Sequence, residues 1–167
     1  MTRVDFYVLK EGSRGDRFGL TCRLVERIYN SASAPSADAE QPGPGRARSP
    51  EPRAAPRVLI HCPDPQQARH LDRLLWSFRE ESFVPHGLVG ETNAAMTPIL
   101  ISGDGQPDHE DQVLINLDEG EEAPAFFSRF ERLCEPLDHD AAVRAAGRKR
   151  YLYYRDCGYP LHHHPVA

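Results

Sequence analysis

The sequence predicts a single three-layer α/β domain in which a mainly parallel, partly mixed sheet carries helices on both faces. Segments with strand and helix patterns alternate along the chain, which favours parallel strands joined by crossover helices. Some short runs are continuously apolar, such as RVLIHC at 57–62, as is typical of strands buried on both faces. The chain has 167 residues, 40% hydrophobic and 27% charged, as expected of one globular domain.

The first elements follow from local patterns. Residues 3–9, RVDFYVL, are rich in strand-forming side chains and predict the first strand. Residues 16–30 carry apolar side chains at helical spacing, which predicts the first helix. These side chains are Phe18, Cys22, Leu24, Val25, Ile28 and Tyr29. The second strand is RVLIHC, and Asp64-Pro65 is a strong start for the next helix, with Gln67 placed to close a capping box.

Two further strands are predicted at 98–102 (PILIS) and 112–117 (QVLINL). Their connection is short, so we expect a mixed or antiparallel section there. The spacing of Phe126, Phe130 and Leu133 predicts another helix. The last long helix is capped by Asp138 or Asp140 and ends near Gly158 and Pro160.

Residues 31–56 differ from the rest of the chain. They contain six prolines and no Val, Ile, Leu, Phe, Trp, Tyr, Cys or Met. Such a segment cannot bury enough apolar surface to offset its ordering entropy, so we expect a disordered insertion. The prediction is therefore one domain over 1–167, interrupted at 31–56.

Residue patterns typical of catalysis are absent from the sequence. Neither GxxxxGK[ST] nor GxGxxG follows either early strand, so the fold is expected to resemble nucleotide-binding domains without a phosphate loop. The four cysteines form no CxxC pair, and the run His162–His164 is interpreted as a mobile polar tail. We predict no catalytic residue, no metal site and no cofactor. With no signal peptide and no long apolar run, the expected location is the cytoplasm, away from membranes.

Charge is distributed unevenly. From Glu80 to Ser128 there are eleven acidic residues and no Lys or Arg, whereas five bases and no acid lie between Ala141 and Arg155. Helical spacing places four side chains of the last helix in one wedge of about 60°. They are Arg144, Arg148, Tyr151 and Arg155. The pattern fits a solvated helix face, a nucleic-acid-binding helix, or a receptor for an acidic peptide that ends in a carboxylate.

Four blocks of the sequence resemble one known family, the chi subunit of bacterial DNA polymerase III holoenzyme. They are DFYVL (5–9), VLIHCPDPQQARHLDRLLWSFREESFVPHGLVGE (58–91), DQVLINL (111–117) and RYLYYRDCGYPL (150–161). The resemblance implies a non-catalytic adaptor with a helicase-like α/β fold. It also implies two partners, the psi subunit of the clamp-loader complex and the acidic, Pro-Phe-ending tail of single-stranded-DNA-binding protein (SSB), with DNA contacted only indirectly.

The resemblance also implies residues for each partner. The SSB tail would contact a set on the last helix and around it: Arg144, Arg148, Tyr151, Leu161, Leu137 and Trp76. The psi subunit would contact Phe83, Val84 and Pro85. Where the family often has a basic residue after the tyrosine of the RY pair, this chain has Leu152, for which Arg150 or Arg155 would have to compensate. The alternatives are a nucleotide-dependent hydrolase with a divergent phosphate loop and a direct single-stranded DNA binder.

Overall fold

A computed structural model describes residues 1–31, 56–78, 84–94, 96–103 and 110–167. The predicted insertion at 31–56 lies outside the described residues except for its first and last positions, and Phe83 lies outside them as well.

The described residues form one seven-stranded sheet with three α-helices. The strands are β1 (Arg3–Leu9), β2 (Val58–His61), β3 (His86–Leu88), β4 (Ile99–Ile101), β5 (Val113–Asn116), β6 (Arg132–Leu137) and β7 (Leu161–Val166). The helices are α1 (Arg17–Ser31), α2 (Pro65–Ser77) and α3 (Ala141–Asp156), and a 3-10 turn spans Phe127–Arg129.

The sheet has the strand order β3-β4-β2-β5-β6-β1-β7, and all its strand pairs are parallel. The α/β fold class is confirmed, but the expected mixed section is wrong. Although β4 and β5 follow each other in sequence, β2 lies between them. Ile60 of β2 is in register with Ile101 on one side and with Ile115 on the other.

The sheet separates two cores. Val58 and Ile60 point to the face covered by α1 and α2, whereas Leu59 between them points to the face covered by α3 and the 3-10 turn. This alternation, with apolar side chains on both sides, is what a continuous apolar run produces in a central parallel strand. The helices therefore lie on both faces, as the sequence predicts.

Helix α2 begins as expected. The carboxylate of Asp64 accepts hydrogen bonds from the backbone N–H groups of Gln66 (2.8 Å) and Gln67 (3.3 Å), and Pro65 occupies the first turn. The capping box does not close, and the amide nitrogen of Gln67 donates to Glu119 at 2.8 Å.

The helix predicted from Phe126, Phe130 and Leu133 is wrong. The chain makes only the 3-10 turn and then becomes extended at Phe130, with φ −86° and ψ 149°. Leu133 lies on β6, where it points into the α3-side core while its neighbour Cys134 points to the other. The three residues are three to four positions apart, as in a helix, but they lie on a turn and a strand rather than on one helical face.

Helix α3 is capped by Asp140, whose carboxylate accepts from the N–H groups of Ala142 and Val143. The alternative cap, Asp138, accepts instead from the backbone N–H of Arg17 at 2.9 Å. The helix ends before Gly158, whose φ of +83° is a left-handed conformation that suits glycine.

The histidine run is not a mobile tail. His162, His163 and His164 lie on β7, which pairs with β1 at one edge of the sheet. Nε2 of His164 lies 2.8 Å from Oδ1 of the buried Asp5, and its ring stacks on Tyr7 with centroids 4.7 Å apart. The strand was missed in the sequence because an edge strand is exposed and lacks an apolar run.

Candidate functional site

The inner face of α3 lies close against β6. A Cβ atom built on Gly147 would lie 2.6 Å from Cδ2 of Leu137, so a larger residue at this position would force the Leu137 side chain to move. Leu137 is 7% exposed and is covered by the helix. Its side chain therefore supports α3 from below and is not accessible to a ligand.

A buried polar network joins α3 to the sheet. Arg150 is 3% exposed, and its guanidinium lies 3.1 Å from the carboxylate of Glu135, which is fully buried on β6. The same carboxylate accepts hydrogen bonds from Asn116 (3.0 Å) and Tyr154 (2.7 Å). Burial, with the adjacent Glu135 carboxylate, strongly raises the pKa of Tyr154. The guanidinium of Arg150 is thus buried and bonded within the core. It is not available to replace the basic side chain that the family often has at the position of Leu152.

One side of α3 faces β1 and the edge strand β7. We call it the basic flank and define it as Arg144, Arg148, Tyr151 and Arg155. The predicted wedge is retained, since all four lie within one continuous helix. The opposite side carries Lys149, 2.7 Å from Glu121, and Tyr153, whose ring lies 6.4 Å from that of Phe127.

Arg144 is largely committed to holding the fold. Its Nε donates to the carbonyl of Asp138 (2.7 Å) and its Nη2 to the carbonyl of Leu9 (3.0 Å). Because these carbonyls end β6 and β1, the guanidinium ties both strand ends to the first turn of α3. Its role at a peptide site would be limited to the remaining Nη1.

Arg148 and Tyr151 are two accessible members of the basic flank. Arg148 is exposed, and within the described part of the chain it makes no hydrogen bond or ion pair. Tyr151 is 37% exposed, and its ring meets that of Phe6 on β1 edge to face, with centroids 5.3 Å apart. The ring is therefore held in place by the core yet open on its other side.

Leu161 lies beside these residues at the start of β7. It is half-buried and packs against the core that contains Val4 and Phe6. Arg155, at the same end of α3, is exposed and lies 3.3 Å from the carboxylate of its neighbour Asp156. Tyr151 and Leu161 thus both pack on the core around Phe6. Arg148 lies about one turn before Tyr151 on the same side of α3, with Arg144 and Arg155 toward the two ends of the helix.

Trp76 lies elsewhere. It is 57% exposed on α2, and its ring lies 4.8 Å from that of His86 on β3. Helix α2 covers the opposite face of the sheet from α3, and β3 is the opposite edge from β7. Six strand spacings of about 4.8 Å separate the two edges. The structure does not bring Trp76 to the basic flank.

Trp76 instead lies near the residues predicted to face psi. Val84 is 3% exposed, Pro85 is half-buried, and Nδ1 of His86 lies 2.7 Å from the carbonyl oxygen of Val84. We call this surface the tryptophan edge and define it as Trp76, Val84, Pro85 and His86. Val84 itself is in the core, so it supports this surface while Trp76 and Pro85 provide its exposed part.

In open parallel sheets, ligands are commonly bound at the carboxyl ends of the strands where the connections diverge, which here is at the ends of β2 and β5. The crevice there is lined by His61 and by acidic side chains, including Asp118 and Glu122. Nε2 of His61 lies 3.5 Å from Oδ2 of Asp118, and burial lowers the pKa of His61. Carboxylates in this position disfavour a phosphate group.

In the described part of the chain, the thiols and the metal-ligating side chains form no reactive cluster. Burial raises the pKa of Cys22 to about 12 and that of Cys62 to about 11, so both are inert thiols. Among the described residues, no group of three or more His, Cys, Asp and Glu side chains is arranged to hold a metal ion. None of the described helices has both the length and the apolarity needed to cross a bilayer.

Comparison with known proteins identifies the family. The family model described as the DNA polymerase III chi subunit (HolC) matches residues 52–162. The chain belongs to the DNA polymerase III chi subunit family. It is 35% identical to the chi subunit of Pseudomonas aeruginosa over 164 residues, covering 98% of this chain and 96% of that one. It is 36% identical to that of Haemophilus influenzae over 159 residues, 95% and 93% of the two chains.

The Escherichia coli chi subunit is 33% identical over 110 residues, 65% of this chain and 74% of that one. A chain in the crystal structure of the E. coli DEAD-box protein SrmB bound to regulator of ribonuclease activity A has a TM-score of 0.52. That match covers 99% of this chain and 92% of the other at 12% identity, so it concerns the fold alone. Membership of the chi family makes this chain an accessory, non-catalytic subunit of the replicative polymerase.

Proposed function

We propose that the chain is an adaptor that binds the psi subunit at the tryptophan edge and the acidic C-terminal tail of SSB at the basic flank. It would act in the cytoplasm at the replisome and contact DNA only through these partners. Support comes from the family, from the charge of α3 and from the separation of the two surfaces. Because they lie on opposite faces and edges of one sheet, both partners can bind at once.

The proposed tail site rests on two neighbouring side chains of α3, the available guanidinium of Arg148 and the fixed aromatic ring of Tyr151. Arg148 has an unpaired guanidinium within the described residues, and Tyr151 is held against Phe6 with one side open. A guanidinium matches a carboxylate in shape and charge, and an aromatic ring beside Leu161 suits an apolar terminal side chain. An acidic peptide with an apolar C-terminal residue satisfies both.

A fluorescent peptide carrying the acidic, Pro-Phe-ending tail tests the site by titration. We expect micromolar binding that weakens as salt concentration rises, because exposed charges are screened. Arg148→Ala should weaken binding about tenfold or more, since a hydrogen bond to a charged group contributes about 1.5–3 kcal/mol.

Lys149→Ala is the matched control. It removes the same charge from the next residue of α3, but Lys149 faces Glu121 on the other side of the helix. We expect its affinity for the peptide to stay within about twofold of the unmodified chain. Equal losses for the two variants would mean that net charge alone drives binding and would contradict a defined site.

The rival anionic ligand is single-stranded DNA, whose phosphates would also be attracted to arginines. The eleven acidic residues between Glu80 and Ser128 repel both anionic ligands, so charge alone does not choose between them. Titration with a naked oligonucleotide of equal charge distinguishes the two. Affinity for the oligonucleotide equal to that for the peptide would overturn the proposal.

A further inference from the structure

The edge strand β7 leaves part of its backbone without a partner from the sheet. It is the last strand in the order, and the described residues place no strand beyond it. The N–H of Val4 donates to the carbonyl of Pro160 (2.9 Å) and that of Lys10 to the carbonyl of Val166 (2.7 Å). Even-numbered residues of β7 therefore bond to β1, since a parallel strand alternates the direction of its peptide groups.

It follows that Leu161, His163 and Pro165 direct their backbone groups outward. Pro165 has no N–H, so the outward donors of β7 are those of Leu161 and His163. Two donors on alternate residues lie about 6.6 Å apart, which is the repeat of an extended peptide. Pro165 limits the pairing to a short segment and protects the edge from longer strands.

The same alternate residues also face α3. Leu161 packs in the core on that side of the sheet, and side chains two residues apart share a face. His163 is in register with Phe6, the residue that supports Tyr151. The outward backbone of β7 therefore lies on the side of the sheet toward which the basic flank of α3 points, where an acidic segment is favoured by charge.

We propose that the acidic tail docks by strand addition, pairing its backbone with Leu161 and His163 on the outer edge of β7. This rests on the proposed function and specifies how the tail is held. Backbone hydrogen bonds would provide a framework for the peptide, and the basic flank would select its side chains, as in other cases of strand addition.

The positions of the charged and apolar side chains along α3 and β7 set the direction of the peptide. The apolar Leu161 and Arg155 lie at the start of β7, whereas Arg144 lies at the far end, beside the carbonyl of Leu9. A peptide whose acidic residues precede an apolar terminus then runs antiparallel to β7. Its terminal side chain lies by Leu161, its terminal carboxylate near Arg155, and its acidic residues toward Arg148.

In this register the terminal residue pairs with Leu161 and the third residue from the end pairs with His163. The penultimate residue is opposite His162, where its N–H points away from β7. A proline there costs no hydrogen bond, which is consistent with a Pro-Phe ending. N-methylation of the third residue from the end removes a required donor, whereas N-methylation of the fourth does not.

The test compares His163→Pro with His163→Ala. Proline removes the outward N–H without breaking a bond to β1, and Pro165 already occupies the equivalent outward position two residues on. Alanine keeps the N–H and removes only the side chain. We expect His163→Pro to bind the fluorescent tail peptide about fivefold more weakly than His163→Ala, or worse, because only proline removes the N–H.

The two N-methylated peptides test the same hydrogen bond without altering the protein. We expect a loss of about fivefold on N-methylation of the third residue from the end and little change for the fourth. Equal affinity of both methylated peptides overturns strand addition, as does equal affinity of the two His163 variants, and the tail site would then stand without it.

Failure of the unmodified chain to bind the unmodified peptide is a different result, and it overturns the proposed function itself. If sedimentation of the full chain instead shows a dimer that His163→Pro dissociates, the edge pairs with a second copy. That outcome also overturns the proposal.

Discussion

Two arginines two residues apart on α3 have opposite environments. Arg150 is 3% exposed and bonded to the buried Glu135, whereas Arg148 is exposed and makes no hydrogen bond or ion pair within the described residues. The first closes a polar network between helix and sheet, and the second remains available to a partner. Charge on a helix therefore indicates function only when the side of the helix is known.

The largest effect should come from breaking the buried pair. Arg150→Ala leaves the Glu135 carboxylate buried without its cation, which should lower the free energy of unfolding by about 3–5 kcal/mol. Urea denaturation measures this loss. Arg148→Ala, the matched exposed change, should stay within about 0.5 kcal/mol. Similar losses of unfolding free energy in the two variants would contradict the difference between the buried and the exposed arginine.

The close contact of the inner face comes next. Gly147→Ala would place a methyl group against Leu137 and should destabilise the chain by about 1–2 kcal/mol, although alanine favours a helix elsewhere. Thermal and urea unfolding measure the change. Combining it with Leu137→Ala should cost less than the two single changes together, because the shorter side chain makes room. Strict additivity would show that the two groups do not meet.

The two surfaces should separate in binding. Trp76→Ala should weaken binding to psi about tenfold and leave the tail peptide unaffected, since a large exposed ring is a frequent anchor of interfaces. Arg148→Ala should do the reverse. Calorimetry with each partner measures both. Loss of peptide affinity in Trp76→Ala would contradict the separation of the surfaces.

The smallest effect should be a pH dependence of stability. Burial lowers the pKa of His61 from its usual 6.5, so the unfolded chain takes up a proton first as pH falls. The stability that neutral His61 contributes is fully present above pH 6.5. It is lost as the pH falls toward the lower pKa that His61 has in the folded state. Melting temperature between pH 7.5 and 5.5 should decline less in His61→Gln. An identical decline would show that other groups are responsible.

Much of the fold follows from local patterns. Apolar runs such as 57–62 identify the central strands, and Asp64-Pro65 marks the start of α2, because a cap and a first-turn proline act within a few residues. The strands that the sequence does not predict are short or polar, such as β7. At β6 it predicts a helix instead, because apolar residues on either side of a turn happen to lie at helical spacing. Both depend on neighbours in the sheet rather than on their own composition.

The sequence alone determined an α/β domain, a basic last helix and the membership of the chi family, since these depend on residue types and their spacing. Only the tertiary structure decided which bases are available. Glu135 on β6 draws Arg150 into the core, the ends of β1 and β6 engage Arg144, and the sheet places Trp76 on the face away from α3. The partners that settle each side chain are distant in sequence, and the order of the strands brings them together.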